Sequence, residues 1–268
     1  MSEMSSWLLW APFAGLVLLL GLERWIPFRA PVQSKLLRVA TNLTIAGSNA
    51  VIVNVLFGGL LLAWAQGTAS EGAGILPYLG VGLGGNIVAS VLLLDFISYG
   101  VHRMYHGVPL FWRLHRAHHS DPDIDATTSL RFHLGEAILS VGIKAVSVAV
   151  LGVSWLGLVV YEIVFQVVGL VSHANLRLPD SVERGIRTVI ISPQMHWLHH
   201  SRRPVDHNAN FGAIFSGWDR VLGTYRLEAR REEIQIGLNE YPLLEQTTLV
   251  PFFRMPFGAA CRPGPQGP

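Results

Sequence analysis

Four apolar stretches constrain this chain more than any other feature. Crossing the hydrocarbon core of a bilayer as a helix takes roughly 17–25 apolar residues. Residues 40–65 and 78–101 meet that length, and residues 7–22 fall slightly short of it. Residues 134–173 are long enough for two helices, with GVSW at 152–155 as the place to turn. The expectation is an all-α integral membrane helical bundle of about five crossings, one pair of them a helical hairpin. Composition agrees: the chain is 50% hydrophobic and only 14% charged, with mean hydropathy +0.39, too apolar for an ordinary soluble domain. The first stretch has no basic leader and no small-x-small cleavage site, so it reads as a retained span and not as a signal peptide.

Arginine and lysine placement orients the bundle. The segment after the first span carries Arg24, Arg29, Lys35 and Arg38, whereas QGTASEGAGI (66–75) and the hairpin turn carry no basic residue. From Arg177 onward arginine is frequent again. Basic and non-basic connections alternate as five crossings require. Residues 24–38, 102–133 and 174–268 are therefore expected on the cytoplasmic side. That side is the cytoplasmic face of the inner membrane in a bacterium, or of the endoplasmic reticulum in a eukaryote. The organisation expected is a single functional unit: transmembrane helices over 1–101, a histidine-rich catalytic region over 102–225 that includes the hairpin 134–173, and a tail over 226–268.

Lys144 lies within a span, where a lysine costs roughly 2.5–3.5 kcal/mol on insertion scales. Glu162 sits at a comparable distance on the other side of the turn, so a hairpin brings the two to similar depth and they are expected to pair.

Several chemistries are excluded early. The formal net charge is +2 with no long basic run, which argues against a nucleic-acid partner. A single cysteine, Cys261, cannot build a disulfide, a four-cysteine zinc site or an iron–sulfur cluster. Metal chemistry here must use nitrogen and oxygen ligands.

Histidine supplies the nitrogen. HRMYH holds His102 and His106, HRAHH holds His115, His118 and His119, and HWLHH holds His196, His199 and His200. In a helix, positions i, i+3 and i+4 lie on one side. Each cluster is thus expected to aim its rings together, just beyond the end of a span and on the same side of the membrane. His173, in SHANLRLP at the end of the hairpin, is a further candidate ligand. Nine imidazoles exceed the positions of one ion, so two ions are expected, each with about four or five nitrogens. Candidates to offset their charge and hold the rings from behind are Asp95, Asp121, Asp123, Asp125 and Asp206, together with His133 and His207.

HRMYH, HRAHHS and HWLHHS, followed by DHNANFGAIFSGWDRVLGTY, resemble the histidine boxes of the fatty acid hydroxylase/sterol desaturase superfamily of membrane di-iron enzymes. The likeness runs from about Asp95 to Tyr225 and includes SHAN (172–175) and SPQMHWLHH (192–200). One departure is RFHLGE (131–136), where Leu134 stands in a position that is often proline. The resemblance implies metal ligation by His102, His106, His115, His118, His119, His196, His199 and His200, and by His173. It implies two iron ions, O₂ as co-substrate, and hydroxylation or desaturation of a lipid C–H bond.

A lipid substrate would enter from the bilayer, and electrons would come from a separate reductase. GVGLGG (80–85) satisfies Gly-x-Gly-x-x-Gly, but it opens a span with no βαβ context, so small-residue helix packing is the better reading. No flavin, haem or nicotinamide site is expected. Arg202 and Arg203 are candidates to receive an acidic electron carrier or lipid phosphates. Two alternatives stand beside this reading. A zinc-dependent membrane hydrolase would want His-Glu-x-x-His, which is absent. A non-enzymatic metal-binding membrane protein would move metal without lipid turnover. The C-terminal PFGAACRPGPQGP reads as disordered.

Overall fold

Long apolar runs free of internal proline wind into helices because only internal hydrogen bonding satisfies a backbone in lipid. The computed structural model describes residues 10–57, 59–60, 63, 72–227 and 230–258. Residues 7–9 of the first expected span, most of the 66–75 connection, and Cys261 lie outside the described residues. The principal helices are α1 (Ala11–Trp25), α2 (Lys35–Phe57), α3 (Leu83–Gly107), α4 (Pro109–His119), α5 (Leu134–Leu151), α6 (Trp155–His173) and α7 (Pro193–His199). Among the described residues there is no strand, only three isolated bridges. The chain is an all-helical membrane protein.

Among the described residues four helices, α2, α3, α5 and α6, are long and apolar enough to cross a bilayer. The helix at the first expected crossing is different. With 15 residues, α1 is about 22 Å long, short of the ~30 Å hydrocarbon core. Its C-terminal end is fastened by Glu23, which is buried, accepts from the Ala126 and Asn175 amides at 2.8 and 3.0 Å, and pairs with Lys35.

The hairpin turn falls at residues 152–154. Gly152 ends α5 with φ +68°, and a Cβ there would lie 2.5 Å from the Ala73 carbonyl oxygen and 2.6 Å from Pro77 Cδ. Glycine is required on both counts. Ser154 caps α6 by accepting from the Gly157 amide. Asn86, at the start of α3, clamps the turn: its amide donates to Gly152 O (2.9 Å) and its Oδ1 accepts from Ser154 N (2.8 Å). Among the described residues the glycines of GVGLGG bring no other helix close: a Cβ at Gly85 would meet Val81 Cγ1 alone, at 2.8 Å. A Cβ added at Gly80, Gly82 or Gly84 would meet nothing within 4 Å, and Gly82 is the residue from which α3 begins.

With the turn and the start of α3 at one end of the bundle, the C-terminal ends of α3 and α6 and the N-terminal end of α5 meet at the other. One core joins the spans to the cap built there: Leu94, Val148, Leu158, Tyr161 and Val168 pack with Ile191, Met195 and Ile214. Lys144 Nζ on α5 and Glu162 Oε1 on α6 are 2.6 Å apart, bridging the hairpin arms midway along their length. The stretch read as disordered from Pro256 is ordered through Gly258, because Met255 and Pro256 are buried against the cap.

Candidate metal centre

The histidine pairs and triplets ride on helix ends. The α3 helix does not stop where the apolar stretch does but runs on through His106, so His102 and His106 sit on a membrane helix's last turns. Val108 then interrupts the helix and Pro109 opens α4, which carries His115, His118 and His119. His173 is the last residue of α6. Ser192 and Pro193 start α7, which presents His196 and His199, with His200 at its C-cap.

The nine rings form two adjoining groups. His102, His106, His115, His119 and His199 make one, His118, His173, His196 and His200 the other, and in each the candidate ligand nitrogens lie within 4.8 Å of one another. Each triplet divides between them. The i and i+4 members sit 40° apart around a helix, while i+3 diverges from i by 60° in the other sense. Accordingly α4 gives His115 and His119 to the first group and His118 to the second. Helix α7 gives His196 and His200 to the second and His199 to the first. The rings of a triplet are therefore not all aimed together, as their spacing suggested. The triplets interdigitate, and the stacked rings of His119 and His200, 4.4 Å between centroids, mark the seam.

Ring orientation is set from outside. His102 Nδ1 donates to Phe211 O (2.9 Å), His173 Nδ1 to Gly169 O (2.7 Å), His199 Nδ1 to Ala209 O (2.7 Å) and His118 Nδ1 to Arg131 O (3.3 Å). His115 Nδ1 donates to the Glu136 carboxylate at 2.6 Å. Since carbonyls and carboxylates only accept, these Nδ1 atoms carry the proton and the Nε2 atoms bear lone pairs. Those lone pairs face each other: His102 and His115 Nε2 are 3.2 Å apart, His118 and His173 Nε2 3.3 Å. Two lone pairs at that distance repel unless a cation lies between them. Nitrogens bonded to one ion at ~2.1 Å stand ~3.0–3.4 Å apart at angles of 90–109°, which matches the spacing. Both ring nitrogens of His106 and the Nε2 of His199 are buried with no protein partner, as uncoordinated ligands would be. Burial pushes the imidazoles of His118, His119, His196, His199 and His200 well below the usual histidine range, which keeps them neutral and able to ligate. The residues present fit a pair of metal ions held by nitrogen.

Most of the residues expected behind the rings are placed otherwise. Asp95 bonds to no histidine. It accepts from the amides of Ile214 and Phe215 and from Trp218 Nε1, all within 3.0 Å, and so fixes the 211–218 turn. Asp121 and Asp125 bind Arg38 of α2, and Asp123 accepts from the amides of Val32 and Gln33. These three tie the loop after α4 to α2. Asp206 pairs with Arg226 and Arg203. His133 belongs to neither group but caps α5 through Gly135 N, whereas His207 does stand behind the first group: it stacks on Trp112 at 5.4 Å, with its ring 6.0 Å from that of His106 and 6.3 Å from that of His119.

Two braces had no counterpart in the sequence reading. Glu136 lies in the first turn of α5, where a carboxylate entering a span needs a partner, and that need is a readable signal. The other brace is the backbone of residues 209–211. Asn210 holds φ +57°, a left-handed conformation asparagine tolerates, and this turns the flanking carbonyls of Ala209 and Phe211 toward His199 and His102. Asn210 is pinned by Met195 O and Arg226, and Asp219 accepts from the amides of Phe211 and Gly212.

The fatty acid hydroxylase family profile matches residues 87–224, just over half the chain and every one of the nine histidines. The chain belongs to the fatty acid hydroxylase family. It is 30% identical over 135 residues to a beta-carotene hydroxylase of Paracoccus sp., covering 48% of this chain and 82% of that protein. It is 26% identical over 157 residues to the ornithine lipid hydroxylase OlsE of Rhizobium tropici, covering 57% of this chain and 45% of the relative. Human alkylglycerol monooxygenase is 26% identical over 151 residues, 56% of this chain and 32% of its own. The chain thus spans less than half the length of these last two relatives. No solved structure matches it.

Proposed function

We propose that this protein is a membrane oxygenase that inserts oxygen into, or desaturates, a C–H bond of a lipid, using two iron ions and O₂. The observation that carries this reading is the pair of all-imidazole groups, of five and four rings, at the ends of membrane-crossing helices. His102, His106, His115, His119 and His199 would hold one ion, and His118, His173, His196 and His200 the other. Iron bound there supplies the redox change that O₂ chemistry requires and that zinc lacks.

The chain's own residues supply orientation, neutrality and access. Glu136 and the carbonyls of Arg131, Gly169, Ala209 and Phe211 hold Nδ1–H bonds outward, which commits each opposing Nε2 to the interior. Burial keeps His118, His119, His196, His199 and His200 unprotonated near neutral pH. The relatives' names include lipid hydroxylases and monooxygenases, which favours a substrate drawn from the bilayer over a soluble one. Helices α3, α5 and α6 all bring one end to the metal groups, so a lipid chain lying among them would present its C–H bonds there, and positioning would choose the carbon. Hydroxylation consumes one O₂, two protons and two electrons per C–H bond and releases one water. We assign the electrons to a separate reductase and the site to the cytoplasmic side, the latter on the alternation of basic and non-basic connections.

The test is the metal content of anaerobically purified protein grown on isotopically enriched iron, read by elemental analysis and Mössbauer spectroscopy, followed by lipid turnover with a reductase system. Two irons per chain and an oxidised lipid are expected. Folded protein that takes up no iron on reconstitution overturns the reading.

A further inference from the structure

Residues 243–257 form a two-faced segment that the metal chemistry does not account for. It comprises the turn Leu244–Thr247, the helix Leu249–Arg254 and the turn Met255–Phe257. Its inner face is fully engaged. Phe252 and Met255 are buried against Ile45 of α2 and Ala117 of α4. Arg131 donates to Thr247 O at 2.7 Å and lays its guanidinium 4.6 Å from the centre of the Phe252 ring. Arg116 donates to the carbonyls of Met255 and Gly258, and His133 Nε2 lies 3.3 Å from Phe253 O.

The outer face is largely apolar and bare, with Glu245 exposed at its start. Leu243 is 56% exposed, Val250 58% and Phe257 82%, with Leu244 beside them. On the neighbouring elements Leu37 of α2 and Leu110 of α4 are exposed as well. The contacts fix the level at which the segment lies. His133 is the cap from which the membrane helix α5 begins, and Asn49 of α2 donates to the preceding carbonyl, Phe132 O. The segment therefore sits beside two membrane-crossing helices at the end of the bundle that bears the histidines. Apolar residues in water beside a bilayer are unfavourable, and a short segment with a bare apolar face lowers its free energy by lying in the interface. Arg254, exposed between the two faces, suits lipid phosphates.

We propose that residues 243–257 form an in-plane membrane anchor that seats Leu243, Val250 and Phe257 in lipid on the metal-bearing side of the bilayer. Its attachment at the start of α5, beside the crossing helices α2 and α5, singles out lipid as the occupant. The anchor also reaches the metal groups. Arg116 lies between His115 and His118 in the chain, and the Arg131 carbonyl holds His118 Nδ1, so lipid contact on one face of the segment steadies α4 through the other.

The experiment uses the full chain in phosphatidylcholine vesicles with and without brominated acyl chains. In a Cys261→Ser background, Phe257→Cys is labelled with bimane. Val55→Cys on the exposed face of α2 serves as the lipid reference, and Asp180→Cys in the cap as the water reference. Emission at position 257 is expected to be lost to brominated lipid to the extent seen at position 55. Unquenched emission like that at position 180 overturns the proposal. Blue-shifted emission without quenching also overturns it, because it assigns the face to protein, such as a second copy of the chain. If Phe257→Cys does not fold, Val250→Cys carries the same comparison.

Discussion

Glu136 Oε1 and His115 Nδ1 stand 2.6 Å apart, joining the first turn of a membrane helix to the middle of the histidine cluster. A carboxylate at that point holds the ring's tautomer and adds negative charge beside a site built from neutral ligands. Losing such a partner typically costs about 10–100-fold in metal affinity or activity. Glu136→Ala is expected to show a loss of that size, and Glu136→Gln, which keeps an acceptor for Nδ1–H, a smaller one. Metal titration of the two variants decides this. Affinity equal to wild type in Glu136→Ala would show that His115 needs no brace.

The interdigitated triplets make a sharper claim. His106 lies in one group and His196 in the other, so each alanine variant is expected to lose about one of two bound ions and leave the other group's ion in place. Each keeps four or three of its group's rings, so the remaining metal is read by stoichiometry together with spectroscopy of the surviving ion. Were each triplet instead to bind one ion as a unit, His118→Ala and His119→Ala would behave alike. If those two variants lose the same ion, the division is refuted.

Much of the centre was legible in the residue spacing, for a physical reason. Helical periodicity is local, so i, i+3, i+4 patterns report which rings share a helix surface, and all nine of these histidines come together. How a triplet splits depends on where the partner helices lie, which spacing does not carry. The five aspartates looked suited to the metal by type and nearness in sequence, yet each spends its carboxylate on backbone amides or an arginine, as buried loops demand. The braces on His102 and His199 come from main-chain carbonyls, which every residue has. Only the left-handed asparagine between them marks the place, and asparagine alone is a weak signal.

Acidification tests the buried rings in the metal-free protein. Burial lowers the pKa of His118, His119, His196, His199 and His200 below the ~6.5 of the unfolded chain. Below that value the unfolded chain binds more protons than the folded one, so stability falls as pH falls, by up to ~1.4 kcal/mol per pH unit for each histidine. The melting temperature of apoprotein in detergent is expected to be level above about pH 7.5 and to drop steeply between about pH 6.5 and pH 5. A flat profile across that range would mean the rings are not desolvated.

The hairpin turn and the glycine-rich stretch make opposite predictions for the same substitution. Gly152→Ala adds a Cβ into the Ala73 carbonyl and Pro77 at a left-handed backbone position, so it should destabilise by at least ~1–3 kcal/mol. Gly84→Ala, within α3 and facing open space, should be neutral or stabilising by up to ~1 kcal/mol through helix propensity. Thermal unfolding in detergent compares them directly. Equal destabilisation by both would point to an unseen partner at the start of α3.

Lys144 and Glu162 offer the last test. Their 2.6 Å contact lies midway along two membrane helices, and each side chain is mostly buried, at 21% and 28% exposure. An ion pair in such a place is weak evidence of net stabilisation, because desolvating two charges offsets much of their attraction. Breaking it is another matter: Lys144→Met leaves Glu162 charged and alone in an apolar span, which should cost on the order of 1–3 kcal/mol after allowance for partial exposure. Replacing both residues by methionine removes the orphan charge along with the attraction. The double variant should therefore recover most of the stability lost by the single one. A thermal-unfolding cycle over the four proteins gives the coupling. Additive losses would mean that the two groups answer to different partners, while recovery would show that the pair offsets its own burial and does little else for the fold.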